Sequence, residues 1–297
     1  MKINIAYLVS YDYSYIFTSL KAVYDHADQI VLSIDKERKT WSGNSFEIPD
    51  HFFEDIKKID TRGIIEIYED YFYVKDLPTI DCDTRQRNLT LKKLNSGWKI
   101  QLDVDEYAYD FEALKNYLKK YNFLTVFPKL TPIAIRGVLL TLYKIDGNHY
   151  FYIDNEEPFS FISNQRHFVQ VRMNNPIPNF FCNYKLIHQS WARKPEEIKM
   201  KFRNWGHKDD FDTNKYFEYW NNLSAENYKE YINFHPIHPD QWKNLECIEA
   251  NDIDDFIKKY TTSHRQQIEY FEVKDYLKLL RRTTGIKNKV KKLFGLK

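Results

Sequence analysis

The chain has 297 residues, a formal net charge of +2, a mean hydropathy of −0.64 and 43% hydrophobic residues. This length and composition suffice for one large domain with an ample core, or for a domain with an appendage. The near-neutral charge argues against a protein that binds nucleic acid through a general basic surplus. No apolar run approaches the roughly 18 residues expected of a membrane-spanning helix.

The cysteines and the first residues bear on location. The three cysteines, Cys82, Cys182 and Cys247, lie far apart, and none forms a CxxC pair. An odd number of separated cysteines argues against a disulfide framework and indicates a reducing compartment. The apolar run Met1–Leu8 is short and is better interpreted as a first strand than as a signal peptide. We therefore predict a cytoplasmic location.

Strands and helices alternate four times in the first part of the chain. The predicted strands are residues 3–9, 29–34, 64–68 and 98–102. The predicted helices that follow them are residues 14–27, 50–58, 84–95 and 111–121. Such alternation is typical of a parallel α/β sheet with helices on its faces.

The pattern changes after residue 121. Further strands are predicted at residues 123–127, 137–145, 150–153 and 168–172. Further helices are predicted at residues 195–205, 213–223, 225–233 and 252–278. We predict a catalytic domain over residues 1–210, with a nucleotide-binding half at 1–121 and an acceptor half at 122–210. A helical extension would follow at 211–277, and a basic amphipathic tail at 278–297.

The fourth predicted strand ends in two carboxylates, Asp103 and Asp105, with one residue between them. Alternate residues of an extended segment point to the same side, so both carboxylates can face one site. Carboxylate oxygens suit Mg²⁺ or Mn²⁺. Because ligands of parallel sheets bind at the carboxyl ends of strands, we expect Asp35, after the second strand, to share a crevice with Asp103.

Two groups of residues carry a resemblance to a known class of enzyme. The segment Arg85-Gln86-Arg87-Asn88, then Gly97, then Leu102-Asp103-Val104-Asp105, is similar to the pattern of family-2-like glycosyltransferases of the GT-A type. The stretch from His188-Gln189-Ser190-Trp191 to Asn204-Trp205-Gly206-His207 resembles family-17-like bacterial transferases. The resemblance covers roughly residues 1–210 and implies a GT-A-like nucleotide-binding sheet flanked by helices.

The resemblance also implies a metal and a donor. Asp105 would be a direct ligand of Mn²⁺ or Mg²⁺, and Asp103 would contact the ion, its bound water or the ribose. His188 would complete the coordination, with His207 as the alternative. The metal would bridge the two phosphates of a UDP- or GDP-linked sugar and stabilise the charge that develops on the diphosphate.

Further residues would hold the donor. By the same resemblance, Asp35 would contact the base or ribose, and Ser10 and Tyr11 would flank the base. Arg85 and Arg87 would approach the phosphates, because guanidinium groups match phosphate geometry.

An inverting reaction would also need a general base that takes the proton of the acceptor hydroxyl. The candidates are Glu156 and Glu157, which follow the central strands, ahead of Asp154, Asp209 and Asp210. A retaining reaction would need no such base, and the sequence does not distinguish the two.

The end of the chain indicates a partner. Residues 278–297 hold eight basic residues and no acid, with leucines, isoleucine, valine and phenylalanine between them. This composition suits an interfacial helix on anionic lipid. We therefore expect peripheral association with the inner face of the cytoplasmic membrane. The acceptor would be a glycan or lipid-linked glycan in bacterial surface polysaccharide or lipopolysaccharide synthesis, with no nucleic-acid partner.

Two alternatives remain open. A sugar-phosphate nucleotidyltransferase would share a related α/β half and metal-binding carboxylates. It would usually carry a glycine-rich loop after the first strand, where this chain has Ser10-Tyr11-Asp12-Tyr13. A non-catalytic carbohydrate-binding protein on a transferase scaffold would retain donor binding without turnover. The main prediction is transfer of a hexosyl or N-acetylhexosaminyl group.

Overall fold

The computed structural model of the chain describes residues 1–173, 176–204 and 210–283. Its strands are β1 (Ile3–Val9), β2 (Gln29–Asp35), β3 (Ile65–Asp70), β4 (Trp98–Asp103), β5 (Glu106–Ala108), β6 (Ala134–Asp146), β7 (His149–Ser163), β8 (Asn179–His188) and β9 (Glu246–Glu249). Its α-helices are α1 (Ile16–Val23), α2 (Asp50–Ile59), α3 (Thr79–Lys93), α4 (Phe111–Lys120), α5 (Pro195–Asn204), α6 (Thr213–Asn221), α7 (Ile253–Ser263) and α8 (Val273–Thr283).

The strands of the described part form one mixed sheet in the order β3-β2-β1-β4-β7-β6-β8-β5, with β9 paired to β7. The first four strands in this order are parallel. All seven residues of β1 are buried, as expected of a central strand covered on both faces. The predicted α/β class, with a parallel sheet built from alternating strands and helices, is confirmed.

The second half of the sheet is a long hairpin of β6 and β7 that adds to β4 through β7. β7 runs antiparallel to β4 and to β6, and β8 runs parallel to β6. β8 therefore has the same direction as β4. The carboxyl ends of β1, β4 and β8 consequently meet at one edge of the sheet, which is where the site lies.

The predicted strands at 123–127 and 168–172 do not form. Residues 122–125 form a 3₁₀ turn. Within it the Thr125 hydroxyl donates to Asn122 O, and from outside it the Thr131 hydroxyl donates to Leu124 O. The Asn88 side chain donates to Phe168 O and accepts from Phe168 N. In both segments, polar side chains occupy backbone groups that a neighbouring strand would otherwise use.

The helices predicted after residue 225 are also shorter in the structure. Within 225–233 there is one 3₁₀ turn, at Tyr228–Glu230. The long helix predicted at 252–278 is two helices, α7 and α8, because Gln266 between them pairs with β8. Its side chain accepts from Lys185 N and donates to Lys185 O. Residues 211–277 are partly helical and also supply β9 to the sheet.

None of the helices in the described part of the chain combines the length and apolar character that crossing a membrane requires. The predicted amphipathic tail lies largely outside the described residues, which end at 283.

Gly137 lies in β6 where the backbones of neighbouring strands approach closely. A Cβ atom there would lie 2.4 Å from Tyr184 O and 2.7 Å from Phe161 Cε1. The carbonyl oxygen belongs to the β8 backbone, so alanine at 137 must push β6 and β8 apart. We expect Gly137→Ala to lower the free energy of unfolding by about 1–3 kcal/mol, measured by urea denaturation.

Gly147 provides the control for this substitution. It lies in the β6–β7 turn at φ +58° with open space around its Cα. Asparagine tolerates this backbone conformation, so Gly147→Asn should leave stability nearly unchanged. A Gly137→Ala protein as stable as the unmodified chain would contradict the close packing of β6 against β8.

Candidate active site

A cavity of about 300 Å³ opens at the edge where β1, β4 and β8 end. Its walls come from the turn after β1, the 40–41 loop, α3, the end of β4, the end of β8 and α5. The polar residues lining it are Ser10, Tyr11, Asp12, Thr40, Trp41, Asp83, Gln86, Arg87, Asp103, Asp105, His188, Arg193, Lys201 and Asn204. The cavity therefore joins the predicted nucleotide-binding half to the second half of the chain.

Asp103 ends β4, and two arginines hold its carboxylate. Arg87 Nη1 donates to Oδ1 at 3.0 Å, and Arg172 Nη2 lies 2.9 Å from Oδ2. Burial raises the pKa of Asp103, but Arg172 and Arg87 outweigh it and lower the pKa to about 2. The Asp103 side chain keeps 30% of its surface exposed. It is therefore an ionised carboxylate that solvent or a ligand can reach.

Asp105 lies deeper in the same cavity. Its Oδ2 accepts from Arg193 Nη2 at 2.5 Å and lies 3.4 Å from His188 Nε2. Burial raises the pKa of this carboxyl, but His188 and Arg193 together hold it well below its usual range. Both members of the predicted carboxylate pair are thus ionised and line one cavity.

The short strand β5 brings His188 to Asp105. Glu106, the first residue of β5, pairs with His188, the last residue of β8. The buried Glu106 carboxylate accepts from both Nη atoms of Arg172 at 2.9 Å and from Asp103 N at 3.0 Å. These contacts fix the turn between the two aspartates.

Two cationic side chains from the segment after β8, Arg193 and Lys201, also line the cavity. Arg193 is buried, and its guanidinium also donates to Asp12 at 3.1 Å. Its Nε and Nη1 atoms have no hydrogen-bond partner among the described residues. Buried donors of this kind normally find a partner. An anionic group bound in the cavity would provide one.

Lys201 of α5 lies beside Arg193 in the cavity lining. Its ammonium donates to the backbone oxygen of Ser190 at 2.9 Å and to the Ser190 hydroxyl at 2.8 Å. An ammonium has three N–H groups, so one remains for a ligand. Burial, with Arg193 nearby, lowers the pKa of Lys201 to about 8.

α3 and the 40–44 loop complete the walls. Gln86 accepts from the Trp41 indole at 2.6 Å, and its amide donates to Ser33. The Thr40 hydroxyl and the Asn44 amide both donate to Asn204 Oδ1 at 2.8 Å, and the Ser42 hydroxyl donates to Asn204 O at 3.2 Å. These three hydrogen bonds, which we call the loop–helix latch, join the 40–44 loop to the end of α5 beside the cavity.

The cavity brings together six of the residues predicted from the sequence: Ser10, Tyr11, Arg87, Asp103, Asp105 and His188. Asp35, Arg85 and Glu157 do not line the cavity. Arg85 is exposed and donates to Tyr71 O, and Glu157 is exposed on β7 opposite Leu139. His207 and Asp209 lie outside the described residues, as does the side chain of Glu156.

Asp35 has a structural role in place of the predicted contact with a nucleotide. Its Oδ1 accepts from the backbone amides of Glu37 and Lys39, and its Oδ2 accepts from those of Phe72 and Tyr73. Four backbone donors satisfy this buried carboxylate. It ties the end of β2 to the segment after β3.

We therefore expect Asp35→Ala to act on stability. Bonds from backbone amides to a buried charged group each contribute on the order of 1.5–3 kcal/mol. Since their effects overlap, the substitution should lower the free energy of unfolding by about 3 kcal/mol or more. Denaturant titration measures this loss. Nucleotide affinity of the folded variant should stay close to that of the unmodified chain, and a selective loss of affinity at unchanged stability would restore the nucleotide role.

The sequence analysis missed several lining residues, notably Asp12, Asp83, Arg193 and Lys201. Asp12 lies in the segment after β1 and Lys201 in the stretch from His188 to His207, but no spacing of residues singles out either of them. Arg193 follows His188 by five residues, and a search for cations near that histidine could have found it.

The side chains that can hold a divalent cation are Asp103, Asp105 and His188. In the described part of the chain, no three His, Cys, Asp or Glu side chains are arranged to hold an ion by themselves. Mg²⁺ and similar ions are commonly held by one or two carboxylates, with substrate phosphates and water completing the shell. Two ionised carboxylates beside an open cavity fit that mode of binding.

Among the solved structures that a comparison matches to part of this chain, TarS from S. aureus shares 15% sequence identity with it at a TM-score of 0.33, over 49% of this chain and 38% of that chain. Mannose-6-phosphate isomerase from Helicobacter pylori shares 15% at a TM-score of 0.31, over 52% and 56%. CMP:2-keto-3-deoxy-manno-octonic acid synthetase complexed with CTP shares 8% at a TM-score of 0.28, over 56% and 65%. The matches span less than two thirds of each of these chains. No family model matches the chain, and no curated protein sequence matches it.

Proposed function

We propose that the protein is a metal-dependent glycosyltransferase that moves a sugar from a nucleotide-diphospho-sugar to an acceptor hydroxyl. One observation carries the proposal. Asp103 and Asp105 are both ionised and line one cavity at the carboxyl ends of β1, β4 and β8, together with Lys201 and with Arg193, which hydrogen-bonds Asp105. Paired carboxylates beside cationic groups suit the binding of a cation together with a diphosphate.

The charge of the cavity favours a metal. Four carboxylates line it, from Asp12, Asp83, Asp103 and Asp105, against three cationic side chains, Arg87, Arg193 and Lys201. Carboxyl groups therefore outnumber cationic side chains in the lining by one. A divalent cation held by Asp103 and Asp105, with water and substrate oxygens completing its shell, would offset this excess beside a diphosphate.

When bound, the cation supplies charge stabilisation for the departing diphosphate. Side chains of the protein would bind and orient the rest of the donor. Arg193 and the third N–H of Lys201 donate to the phosphate oxygens, and Arg193 also orients Asp105. Ser10, Tyr11 and Trp41 line the part of the cavity toward β1 and β2, where the base and ribose would lie.

The cavity lining offers two further candidates for a general base. Of the predicted acids, Glu157 is exposed away from the cavity and Asp154 bonds Lys185 and Tyr260. Glu156, Asp209 and Asp210 stay predictions. Asp12 and Asp83 line the cavity, and burial raises the pKa of both carboxyls. A raised pKa is the direction that a general base needs. We propose these two as candidates for an inverting reaction.

Binding of UDP and GDP, measured by calorimetry with and without Mn²⁺, tests the site. We expect binding of one of the two to strengthen at least about tenfold with Mn²⁺, and Asp105→Asn to remove this gain. Asp146→Asn, at the last residue of β6, is the matched control and should keep it. Metal-independent binding that is unchanged in Asp105→Asn would overturn the proposed metal site.

The products distinguish the rival functions. A glycosyltransferase releases a nucleoside diphosphate from a nucleotide-sugar, with transfer to an acceptor or to water. Release of pyrophosphate from a nucleoside triphosphate with a sugar phosphate would identify a nucleotidyltransferase. Donor binding without turnover over a panel of nucleotide-sugars and glycan or lipid-linked acceptors would identify a binding protein.

A further inference from the structure

The segment between α4 and β6 exposes a group of large apolar side chains. Phe123, Val126, Phe127 and Leu130 are 50%, 62%, 66% and 69% exposed, within eight residues of chain. Scattered exposed apolar residues are ordinary, but a contiguous cluster marks an interaction surface. The base of the segment is held firmly, since the Asn164 amide donates to Leu124 O and Thr131 O. The exposed side chains therefore project from a fixed turn.

The same segment is basic. Lys119, Lys120 and Lys129 are exposed, and residues 119–133 contain no aspartate or glutamate. Exposed apolar side chains with lysines close to them in sequence, and no acid between them, are the composition of a surface that enters the headgroup region of an anionic bilayer. A protein partner reached through an apolar patch would not require this one-sided charge.

Helix α8 extends the surface. The Tyr276 hydroxyl donates to Pro132 O, and the Tyr121 ring stacks on Phe271 at 3.9 Å, which brings α8 beside the segment. Tyr276 and Leu280 are buried, while Val273 and Leu277, one turn apart, are exposed. The exposed basic residues of α8 are Lys274, Lys278, Arg281 and Arg282, against one acid within the helix, Asp275.

We propose that residues 119–130 and α8 form a docking surface for an anionic membrane. Phe127 and Leu130 would insert among the headgroups, and the lysines and arginines around them would contact lipid phosphates. This surface shares residues 278–283 with the tail predicted from the sequence and adds to them residues 119–130 and the first part of α8. The inference does not depend on the proposed enzymatic function.

The sheet places this surface away from the cavity. The Trp98 indole at the start of β4 donates to Leu118 O near the end of α4, whereas the cavity lies beyond the other end of β4. At a rise of about 3.3 Å per residue, β4 separates the two edges by roughly 15–20 Å. A chain docked in this way would keep its cavity open to the aqueous phase.

Sedimentation of the full chain with vesicles tests the proposal. We compare vesicles of phosphatidylcholine alone with an equal mixture of phosphatidylcholine and phosphatidylglycerol. The unmodified chain should bind the mixed vesicles, and Phe127→Ser with Leu130→Ser should weaken binding about tenfold or more. Replacement of Lys119, Lys120 and Lys129 by glutamine should weaken it to a similar extent. Ile232→Ser, at a side chain that is 64% exposed on another segment, is the matched control and should bind normally.

Circular dichroism and thermal unfolding establish that each variant is folded. Several outcomes would overturn the proposal. In the first, the serine variant binds as tightly as the unmodified chain and removal of residues 284–297 abolishes binding, which assigns it to the tail. In the second, both kinds of vesicle bind equally or neither binds. In the third, light scattering shows a dimer that the serine variant loses, which makes a second copy of the chain the occupant.

Discussion

Replacing Asp105 by asparagine should reduce turnover of sugar transfer by about 10³-fold, or 4 kcal/mol of transition-state stabilisation. The amide is nearly isosteric but neutral, so it attracts a divalent cation poorly. It also leaves the buried Arg193 guanidinium without its closest counter-charge. The measurement is kcat/KM at saturating Mn²⁺, with nucleoside diphosphate release as the readout.

Stability is the necessary control for this substitution. Breaking a buried ion pair from one side costs about 3–5 kcal/mol, so the unfolding of Asp105→Asn must be measured beside its activity. Asp103→Asn provides the comparison, because Asp103 is partly exposed and two arginines hold it. We expect a smaller stability loss there. Near-normal turnover in a folded Asp105→Asn protein would remove the carboxylate pair from the mechanism.

The second large effect concerns Lys201. Lys201→Met removes a cation beside the position of the diphosphate, and we expect kcat/KM to fall about 10²-fold. Methionine keeps the length of the side chain and packs in an apolar site. The loss should therefore appear in nucleotide binding and turnover, with little loss of stability. A variant with normal affinity for nucleoside diphosphate would contradict this role.

The pH dependence gives an independent readout of Lys201. Burial lowers the pKa of Lys201 to about 8 from its ordinary value of 10.5, so the required cation is present below pH 8 and is lost as pH rises through that value. Activity should therefore fall as the pH rises above 8. The free energy of unfolding should instead rise between pH 8 and 10.5, because in that range the unfolded chain binds more protons at this residue than the folded chain does.

Lys99 provides the control for the decline in activity at alkaline pH. Burial also lowers its pKa to about 8, but its ammonium bonds Gly97 O and Asn164 O away from the cavity. Lys99→Met should leave the alkaline decline in activity unchanged, whereas Lys201→Met should abolish it. An unchanged profile in Lys201→Met would assign the decline to another group.

Much of the site geometry was predictable because it depends on sheet topology. Asp103 ends β4 and Asp105 follows it by two residues, and parallel strands end at a common edge. The alternation of strands and helices therefore predicts where the carboxylate pair lies. His188 ends β8, which was not among the predicted strands, and only the resemblance to transferases assigned it to the site. The α/β class follows from the same alternation of strands and helices.

The remainder depends on contacts that no local pattern encodes. Asp35 stands at a strand end like Asp103, but four backbone amides from two separate segments occupy its oxygens. Arg172 lies in a segment predicted as a strand. It reaches Glu106 and Asp103 from a backbone that Asn88 bonds at Phe168 and Thr84 bonds at Val171. Long-range hydrogen bonds of this kind decide which strand-end carboxylate stays available for a ligand.

The loop–helix latch has a consequence for the catalytic cycle. It consists of three neutral hydrogen bonds from the 40–44 loop to Asn204, each contributing only about 1 kcal/mol net. Contacts this weak part readily on the microsecond-to-millisecond timescale of loop motions. In the proposed transferase the nucleotide would lie beside Thr40 and Trp41, so we expect its release to require this loop to open.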